Sequence, residues 1–250
     1  MPDKKPPRSV IVTGATRGVG LGVSVRLAAA GYRVVGVGRK QNATLAKAIE
    51  TAAKEGKGEI IFRPFDLSDI EAISDFAYAL KRDHGPIWGL VNNAGLGTEG
   101  VLANMHNSQI EQLIRLNTVS PIVLTKYIVR SMLTERCGRI VNMSSIIAST
   151  GYSGLSVYAA TKASLVGFTK SLAREVGRVG VTVNAVAPGF MDTEMTTGLD
   201  DADRSKIAKR SALRRLAEVE DVAVMVEYLL SDAAKNITGT VMTVDAGNTA

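Results

Sequence analysis

The chain has 250 residues, of which 46% are hydrophobic, and it carries a formal net charge of +6. That size allows one large core or two small ones, and no proline-rich linker or block of charge divides the chain. We therefore expect residues 10–250 to form a single domain behind a flexible N-terminal tail of residues 1–9. The positive charge suits anionic partners such as phosphates or an acidic carrier. Basic and aromatic residues are not interleaved, so we expect no nucleic-acid partner.

The cysteine, histidine and apolar patterns exclude several other classes of protein. Cys137 is the only cysteine, so no intramolecular disulfide can form, and we expect a buried thiol in a reducing compartment. His84 and His106 lie far apart without ligands at metal spacing, so no metal site is predicted. No apolar run reaches the ~18 residues of a membrane span, and none near the N-terminus is long enough for a signal peptide. These features predict a cytoplasmic protein without a membrane partner.

Short β-branched runs alternate with longer stretches of helical period along the whole chain. Strands are predicted at residues 10–13, 33–37, 59–65, 87–92, 139–143, 181–186 and 240–244. Helices are predicted from about residue 18, from a capping box at Ser68-x-x-Glu71 through residue 80, from a second at Ser108-x-x-Glu111 to about residue 133, and at 157–179, 200–209 and 218–230. This alternation predicts an α/β fold: a doubly wound parallel sheet covered on both faces by helices, with its active crevice beyond the carboxyl ends of the strands.

The first strand runs directly into a glycine-rich turn and then a helix. The turn reads Thr13-Gly14-Ala15-Thr16-Arg17-Gly18-Val19-Gly20. Glycines here permit a tight turn and close approach of the backbone to a pyrophosphate, and the helix N-terminus offers free N–H groups to phosphates. The spacing is Gly-x-x-x-Gly-x-Gly, not the commoner Gly-x-Gly-x-x-Gly, so a purely structural loop stays open as an alternative.

The end of the second strand bears on the choice of cofactor. An acidic residue about twenty positions past the glycines would accept hydrogen bonds from the ribose 2′-hydroxyl of NAD. Here the stretch is Gly36-Val37-Gly38-Arg39-Lys40, with no acid. Arg39, together with Arg17, is able to bind a 2′-phosphate through charge-assisted hydrogen bonds, which predicts NADPH. The alternative is two solvated arginines.

Tyr158 and Lys162 are spaced i,i+4 and therefore share one face of the predicted helix. A tyrosine has an unperturbed pKa of ~10 and is a poor proton-transfer group at neutral pH. One cation at about 4 Å contributes on the order of 4 kcal/mol at an effective dielectric constant of ~20, enough to lower that pKa by two to three units. We therefore expect a catalytic acid/base pair; an ordinary amphipathic surface is the alternative.

Several motifs in register resemble the short-chain dehydrogenase/reductase family. They are the glycine turn of residues 13–20, Asn92-Asn93-Ala94-Gly95, Ser145, Tyr158-x-x-x-Lys162 and Pro188-Gly189, and the resemblance covers residues 10–247. It implies a single-domain Rossmann fold with a seven-stranded parallel sheet. It also implies that the tyrosine and lysine belong to an oxidoreductase active site, which replaces their interpretation as an ordinary surface.

The family pattern implies a role for each of four catalytic residues. Tyr158 would be the acid/base, and Lys162 would lower its pKa and bind the nicotinamide ribose. Ser145 would hold the substrate oxygen; Ser144 is its rival on chemistry alone, but the spacing to Tyr158 favours Ser145. Asn117 would help to hold a water that links the lysine to solvent.

The resemblance also implies the cofactor-binding set. The expected residues are Gly14, Thr16, Arg17, Gly18, Val19, Gly20, Arg39, Asp66, Leu67, Asn93, Ala94, Gly95, Tyr158, Lys162, Pro188, Gly189 and Thr193. Within this set Asp66 would meet the adenine, residues 93–95 would line the adenosine side, and Pro188, Gly189 and Thr193 would contact the nicotinamide end.

Pro121 lies four residues after Asn117 inside a predicted helix. It has no N–H, so the Asn117 carbonyl loses its usual i+4 donor, and we expect the helix to kink there. The freed carbonyl would be available to a water, as the proton-relay role requires.

Within the family the chain is most similar to the 3-oxoacyl-[acyl-carrier-protein] reductases. That similarity implies NADPH-dependent reduction of a β-ketoacyl thioester, a homotetramer built on the long helices, and docking of an acidic carrier protein by Arg136, with Arg178 one place out of register. Residues 190–216, including Met191 and Met195, are the expected substrate lid. Reductases of acetoacetyl-CoA or small ketones share these motifs, and a non-catalytic dinucleotide-binding module is a further alternative.

Overall fold

A computed structural model describes residues 7–191 and 201–250, apart from the side chains of residues 201–203. Its centre is one parallel sheet of seven strands in the order β3-β2-β1-β4-β5-β6-β7. The strands are β1 (Ser9–Thr13), β2 (Arg33–Gly38), β3 (Glu59–Pro64), β4 (Ile87–Asn92), β5 (Gly138–Met143), β6 (Val181–Pro188) and β7 (Val241–Val244). The strand order reverses between β1 and β4, and such a switch point is where doubly wound sheets bind ligands. The predicted fold class is confirmed.

Helices cover both faces of this sheet. They are α1 (Gly18–Ala29), α2 (Ala43–Glu55), α3 (Ile73–His84), α4 (Asn107–Ile114), α5 (Ser120–Glu135), α6 (Ile147–Thr150), α7 (Ser156–Val176), α8 (Asp201–Arg210) and α9 (Val219–Leu230). On one face α1, α2 and α9 pack over the sheet, and on the other α3, α5 and α7 do so. Each face has its own apolar core, because successive side chains of a strand point to opposite sides.

Strand β1 shows why its short apolar run folds as a central strand. Val10 and Val12 belong to the core under α1 and α9, while Ile11 belongs to the core under α3 and α5. All three side chains are fully buried, as expected for a parallel strand covered on both faces. The strand begins at Ser9, and Arg8 lies 3.7 Å above the Trp88 ring. Arg8 and Ser9 therefore pack onto the domain, although the prediction placed both in the N-terminal tail.

The strands were predicted to within about two residues, but helix α2 was missed. Its cap is Asn42, whose side chain accepts a hydrogen bond from the Leu45 N–H, and it ends at Gly56 in the left-handed conformation (φ 65°). Leu45 and Ala52 are its only buried residues, so its apolar period is weak. The asparagine before it and the glycine after it were the available signals.

Both predicted capping boxes were wrong. Ser68 lies in a turn, where its hydroxyl and N–H donate to the Asp66 carboxylate, and α3 begins only at Ile73. Helix α4 begins at Asn107 after a box formed by His106 and Gln109. The Ser-x-x-Glu pattern found polar residues near each helix start, but Asp66 accepts the hydrogen bonds of Ser68, and His106, two residues before Ser108, caps the second helix.

The helix predicted to run to residue 133 is interrupted. Between α4 and α5 the chain forms a π-helical turn, Arg115–Val119, in which the Ser120 N–H bonds to the Arg115 carbonyl. The interruption lies where Pro121 removes a donor, as the sequence indicated. Helix α7 also ends earlier than expected, at Val176, and a 3₁₀ turn (Gly177–Val179) follows it. Cys137 is half-buried rather than buried.

Candidate active site

The glycine turn follows β1 at the carboxyl edge of the sheet, beside the switch point. Gly14 has a φ of 67°, which favours glycine, and its N–H donates to the Val37 carbonyl at 2.8 Å. The Ala15 N–H donates to the same oxygen at 3.2 Å. These two bonds fold the turn back onto the end of β2, where Arg39 follows.

Missing side chains allow α1 to approach the turn closely. A Cβ at Gly20 would lie 2.1 Å from the Gly14 carbonyl oxygen, whereas one at Gly18 would meet nothing within 4 Å. No side chain caps the first turn of α1 at Arg17, and no acidic residue lies there. The first N–H groups of α1 and the positive end of its dipole therefore lie at this turn, a setting that fits a pyrophosphate.

The remaining turn residues and the adenine-side residues gather around this opening. Thr16 accepts a hydrogen bond through its carbonyl from the Asn42 side chain, and Val19 packs against the core. Asp66 is exposed and Leu67 is buried. Hydrogen bonds from Ser68 lower the pKa of the Asp66 carboxyl, with a smaller contribution from the charge of Arg39.

Arg39, which follows β2, therefore acts electrostatically on Asp66, which follows β3. Arg39 itself is exposed at the end of β2, and Arg17 is exposed at the start of α1. Both arginines border the opening above the glycine turn, which is compatible with recognition of a 2′-phosphate.

Residues 93–95 follow β4 and are held by β1. The Thr13 hydroxyl accepts from the N–H groups of both Asn93 and Ala94 at 2.9 Å, and the Asn93 side chain donates to the Thr13 carbonyl at 2.9 Å. A Cβ at Gly95 would lie 3.2 Å from Asn117 Oδ1 and 3.5 Å from Lys162 Nζ. Gly95 therefore lies close to Asn117 and Lys162, two of the predicted catalytic residues.

Asn117 lies in the π turn and is 1% exposed. Its side-chain oxygen accepts from the Leu96 N–H and its side-chain nitrogen donates to the Leu96 carbonyl, both at 2.8 Å. The nitrogen also lies 3.2 Å from the Thr161 hydroxyl. The amide group thus ties the loop after β4 to α7, and its main-chain carbonyl is the group left without the usual donor because of Pro121.

Lys162 is 6% exposed, and its Nζ donates to the Met143 carbonyl at 2.8 Å. Burial disfavours the charged ammonium and lowers the pKa of Lys162 to about 8. The amine is thus held against the end of β5 by a single carbonyl, with Gly95 and Asn117 close by.

Tyr158 lies one turn before Lys162, whose Nζ is 5.7 Å from the centroid of the phenol ring. Burial raises the pKa of Tyr158 above its ordinary value, and hydrogen bonding with the Ser145 side chain acts in the opposite direction. The expected lowering by Lys162 is therefore not met in this structure. The Lys162 ammonium donates to the Met143 carbonyl, and burial disfavours its charged form. Desolvation of the phenol is therefore the largest influence on the pKa of Tyr158.

The structure separates the two serines after β5. The Ser144 hydroxyl is buried and donates to the Lys162 carbonyl at 2.9 Å. The Ser145 hydroxyl accepts a long hydrogen bond from the Ile147 N–H at 3.3 Å and also interacts with Tyr158. Ser145 is the serine on the Tyr158 side, in agreement with the spacing argument.

Pro188 and Gly189, which are predicted to contact the nicotinamide, lie at the end of β6. A Cβ at Gly189 would lie 2.6 Å from the Asp245 Cβ, and the Gly189 N–H donates to the Val244 carbonyl. Pro188 is the last residue of β6 and is buried. Thr193, together with Met195 of the expected lid, lies outside the described residues. The Met191 backbone, within the predicted lid, forms an isolated bridge to Ala217.

Arg136 and Arg178 lie far from this cleft. Arg136 ends α5 and Arg178 precedes β6, so both stand at the amino-terminal edge of the sheet. Their loops touch, since a Cβ at Gly180 would lie 2.9 Å from the Arg136 carbonyl oxygen. The six residues of β5 separate them from Ser145, which is roughly 20 Å at about 3.3 Å per residue.

Several residues that shape the site were not expected from the sequence. Thr13 and Leu96 orient the loop after β4, Met143 holds Lys162, and Asp245 supports Gly189. Three of them act through main-chain atoms or contacts between distant segments, which leave no local pattern. Only the polar Thr13 at the end of an apolar strand was a visible signal.

Among the side chains of residues 7–191 and 204–250, no group of three histidine, cysteine or acidic residues could hold a metal ion. In the same residues no helix combines the length and apolar character needed to cross a bilayer.

The chain is similar to known proteins over nearly its whole length. A family model described as enoyl-(acyl carrier protein) reductase matches residues 14–249. The 3-oxoacyl-[acyl-carrier-protein] reductase FabG of Haemophilus influenzae is 39% identical over 238 residues, 95% of this chain and 96% of the relative. That of Escherichia coli K12 is 37% identical over 237 residues, 95% of each chain.

Two solved structures are similar in both sequence and fold. One is a candidate NAD(P)-dependent gluconate 5-dehydrogenase from Beutenbergia cavernae with bound NADP at low occupancy; it is 32% identical, with a TM-score of 0.91 over 96% of each chain. The other is a candidate short-chain alcohol dehydrogenase from Sinorhizobium meliloti; it is 30% identical, with a TM-score of 0.91 over 98% of this chain and 97% of that one.

These likenesses, on a doubly wound sheet with a glycine turn at its switch point, define the class: an NAD(P)-dependent oxidoreductase. The chain belongs to the short-chain dehydrogenase/reductase family.

Proposed function

We propose that this protein reduces the keto group of a 3-oxoacyl thioester, carried on acyl carrier protein, to the 3-hydroxyacyl product with NADPH. The observation that carries the proposal is the grouping of Ser145, Tyr158 and Lys162 at the carboxyl edge of β5, in a chain 37–39% identical to 3-oxoacyl-[acyl-carrier-protein] reductases.

Tyr158 supplies the proton in the proposed reaction. Its raised pKa keeps the phenol protonated at neutral pH, so it is a donor to a carbonyl oxygen that gains negative charge. Ser145 and the Tyr158 hydroxyl stabilise that oxygen by hydrogen bonding. Bound NADPH supplies the hydride that reaches the carbonyl carbon.

Lys162 and Asn117 support Tyr158. The pKa of Lys162, about 8, lets the amine exchange a proton near neutral pH. We propose that the main-chain carbonyl of Asn117, which Pro121 leaves without its usual donor, holds a water that connects this amine to solvent.

The glycine turn, Asp66, residues 93–95, Pro188, Gly189 and Thr193 form the proposed binding set for the cofactor. Arg39 and Arg17 are the proposed ligands of its 2′-phosphate. The open N-terminus of α1 and the exposure of both arginines support this assignment. Replacing NADPH by NADH tests it: we expect NADH to give at most about one-tenth of the kcat/KM, because a charge-assisted pair of bonds is lost.

The substrate is tested by following oxidation of NADPH with a set of acceptors side by side. These are acetoacetyl-carrier protein, acetoacetyl-CoA, a small ketone and, for the enoyl reduction that the family description names, a crotonyl thioester. We expect the acetoacetyl thioesters to be the best acceptors. A higher kcat/KM for the small ketone would favour the alternative of a general ketone reductase, and turnover of crotonyl thioester alone would contradict carbonyl reduction.

The variant Tyr158→Phe tests the proposed role of Tyr158 in proton transfer. It keeps the ring and removes the hydroxyl, so turnover should fall about 10²–10⁴-fold while NADPH binding stays nearly intact. Normal turnover would contradict the assignment. Binding of NADPH by the wild type without turnover of any acceptor would favour the alternative of a non-catalytic dinucleotide-binding module.

Carrier docking by Arg136 and Arg178 meets a geometric difficulty. Both residues stand at the amino-terminal edge of the sheet, opposite the cleft. A carrier bound there would serve the cleft of another copy in the proposed homotetramer rather than that of the same chain. We propose that the protein is a soluble cytoplasmic enzyme.

A further inference from the structure

Three consecutive residues of β5 bind helix α7 near its buried lysine. The Met143 carbonyl accepts from Lys162 Nζ at 2.8 Å, and the Ser144 hydroxyl donates to the Lys162 carbonyl at 2.9 Å. The Asn142 side chain donates to the Thr169 hydroxyl at 2.8 Å. Asn142 and Ser144 point to the same side of the strand, because successive side chains alternate. The carbonyl that holds Lys162 Nζ therefore lies between two side-chain attachments of the helix.

The attachment between Asn142 and Thr169 is buried and is oriented by the sheet. Both residues are 0% exposed. Asn142 Oδ1 accepts from Asn92 Nδ2 at 2.8 Å, and Asn92 Nδ2 also donates to the Thr125 hydroxyl of α5 at 2.9 Å. Asn92 and Asn142 are partners in the pairing of β4 with β5. The amide that meets Thr169 is therefore held in one orientation by the neighbouring strand.

This hydrogen bond constrains α7 in a way that apolar packing does not. Apolar contacts are non-directional, whereas a hydrogen bond weakens steeply as its distance and angle change. The Ser144 attachment alone would leave α7 a point about which to pivot. Thr169 lies about two helical turns beyond Lys162, or roughly 10 Å along the axis, and supplies a second point. Two attachments fix both the position and the direction of the helix.

We infer that Asn142 and Thr169 are positioning residues for the reaction: their hydrogen bond fixes the direction of α7 over β5 and so keeps Lys162 Nζ at the Met143 carbonyl. The inference rests on the proposed function, in which this amine supports Tyr158 on the same helix. A shift of α7 by about 1 Å would take the amine beyond hydrogen-bond distance of the carbonyl and would move Tyr158 relative to the substrate. Misplacements of that size cost up to ~10²-fold in rate.

Two substitutions at residue 169 test the role of its hydroxyl. Thr169→Val keeps a branched side chain but cannot accept the hydrogen bond from Asn142, whereas Thr169→Ser keeps the acceptor. We expect Thr169→Val to lower kcat with NADPH and the best acceptor about tenfold, with the KM of that acceptor changed less than about twofold. Thr169→Ser should restore most of the wild-type kcat. If Thr169→Val does not fold, Thr169→Cys replaces it with the same expected directions, because a thiol is a weaker acceptor.

Thr125→Val is the matched control. Thr125 is 1% exposed and accepts a hydrogen bond from the other asparagine of the pair, but it belongs to α5. The substitution is the same, and an equally buried amide loses one acceptor, so we expect both valine variants to lower Tm by similar amounts. Thr125→Val should keep the wild-type kcat to within about twofold. A general loss of stability is thereby separated from displacement of α7.

The environment of the Lys162 amine is also measured without turnover. The Cε resonances of the full-length protein, prepared with isotopically labelled lysine, are titrated by NMR, and Lys162 is assigned by comparison with Lys162→Met. The wild-type pKa is expected at about 8. Tyr158 is the titratable side chain beside this amine, and its raised pKa keeps it neutral in that range.

The valine variants should differ in this titration. In Thr169→Val the site stays apolar while the ammonium loses its carbonyl acceptor, so the pKa of Lys162 should fall by about half a pH unit or more. In Thr169→Ser and Thr125→Val it should stay at the wild-type value.

A wild-type kcat together with a wild-type Lys162 titration in Thr169→Val would overturn the inference, and so would equal losses of kcat in Thr169→Val and Thr125→Val. Failure of the proposed function has a different outcome. The wild type then reduces no acceptor, while the Lys162 titration still responds to Thr169→Val and not to Thr125→Val.

Discussion

Buried polar groups around Tyr158 decide how the catalytic residues are tuned. The sequence argument considered only the charge of a lysine one turn away. In the structure that lysine donates to the Met143 carbonyl. Burial raises the pKa of Tyr158 and lowers that of Lys162, so it favours the neutral form of both groups. In the proposed reaction, a neutral phenol is able to donate its proton to the substrate oxygen.

The lowered pKa of Lys162 predicts a pH-dependent stability. The folded-state pKa of about 8 lies below the ordinary 10.5, so between these values the unfolded chain binds more protons and stability rises with pH. The free energy of unfolding of the wild type, relative to Lys162→Met, should therefore increase between pH 8 and pH 10.5, by up to about 3 kcal/mol. Urea unfolding of both proteins across this range measures the difference. A difference that is constant with pH would show that the amine is not desolvated.

Ser144 and Ser145 form a natural pair of test and control. Ser145→Ala removes the hydroxyl beside Tyr158, so kcat should fall about 10²-fold or more with little change in stability. Ser144→Ala removes the buried hydroxyl that donates to the Lys162 carbonyl, so it should cost about 1–3 kcal/mol of stability and affect kcat less. Steady-state kinetics and thermal unfolding separate the two effects. The reverse pattern would assign the substrate oxygen to Ser144.

At the scale of elements, the contact between β1, its turn and α1 depends on missing side chains. Gly20→Ala would place a Cβ 2.1 Å from the Gly14 carbonyl oxygen, so α1 must shift away from the turn. We expect a loss of about 1–3 kcal/mol of stability and weaker NADPH binding, measured by thermal unfolding and by fluorescence titration.

Gly167→Ala is the control for this substitution. Gly167 is an exposed residue of α7, and a Cβ there meets nothing within 4 Å. Alanine should be neutral or stabilising by up to about 1 kcal/mol, since it favours the helix. Equal destabilisation by both substitutions would show that the effect at Gly20 is not the close approach to the turn.

The π turn between α4 and α5 is also an element-scale feature. Pro121 predicted a disturbance near Asn117, and the structure shows one as a widened turn. The sequence did not predict that the Asn117 side chain would bond both main-chain groups of Leu96. That contact joins segments 21 residues apart, and no local pattern encodes it.

At the scale of the whole molecule, we propose that the long helices form subunit contacts. Val119 and Leu133 are 37% and 40% exposed, and their spacing of 14 residues places them on the same side of a helix. The proposed tetramer has four times the 26.5 kDa of one chain, and sedimentation velocity at micromolar concentration should show that mass.

The double variant Val119→Glu, Leu133→Glu should shift the mass to that of a dimer or monomer, because it places charges in an apolar contact. Val25→Glu is the control, since Val25 is 44% exposed on α1, which is not one of the long helices. A monomeric wild type would contradict the tetramer and, with it, the delivery of a carrier from Arg136 of one copy to the cleft of another.

The sequence by itself predicted the positions of the strands along the chain, the class of the sheet, the glycine turn and the spacing of Ser145, Tyr158 and Lys162. These properties follow from short-range periodicity and from residues close together in the chain. Only the tertiary structure decided the order of the strands in the sheet, the direction in which the pKa of Tyr158 shifts, the partner of Ser144 and the remote position of Arg136. Desolvation and hydrogen bonding depend on groups that are distant in sequence, so they are set only when the sheet brings the strand ends together.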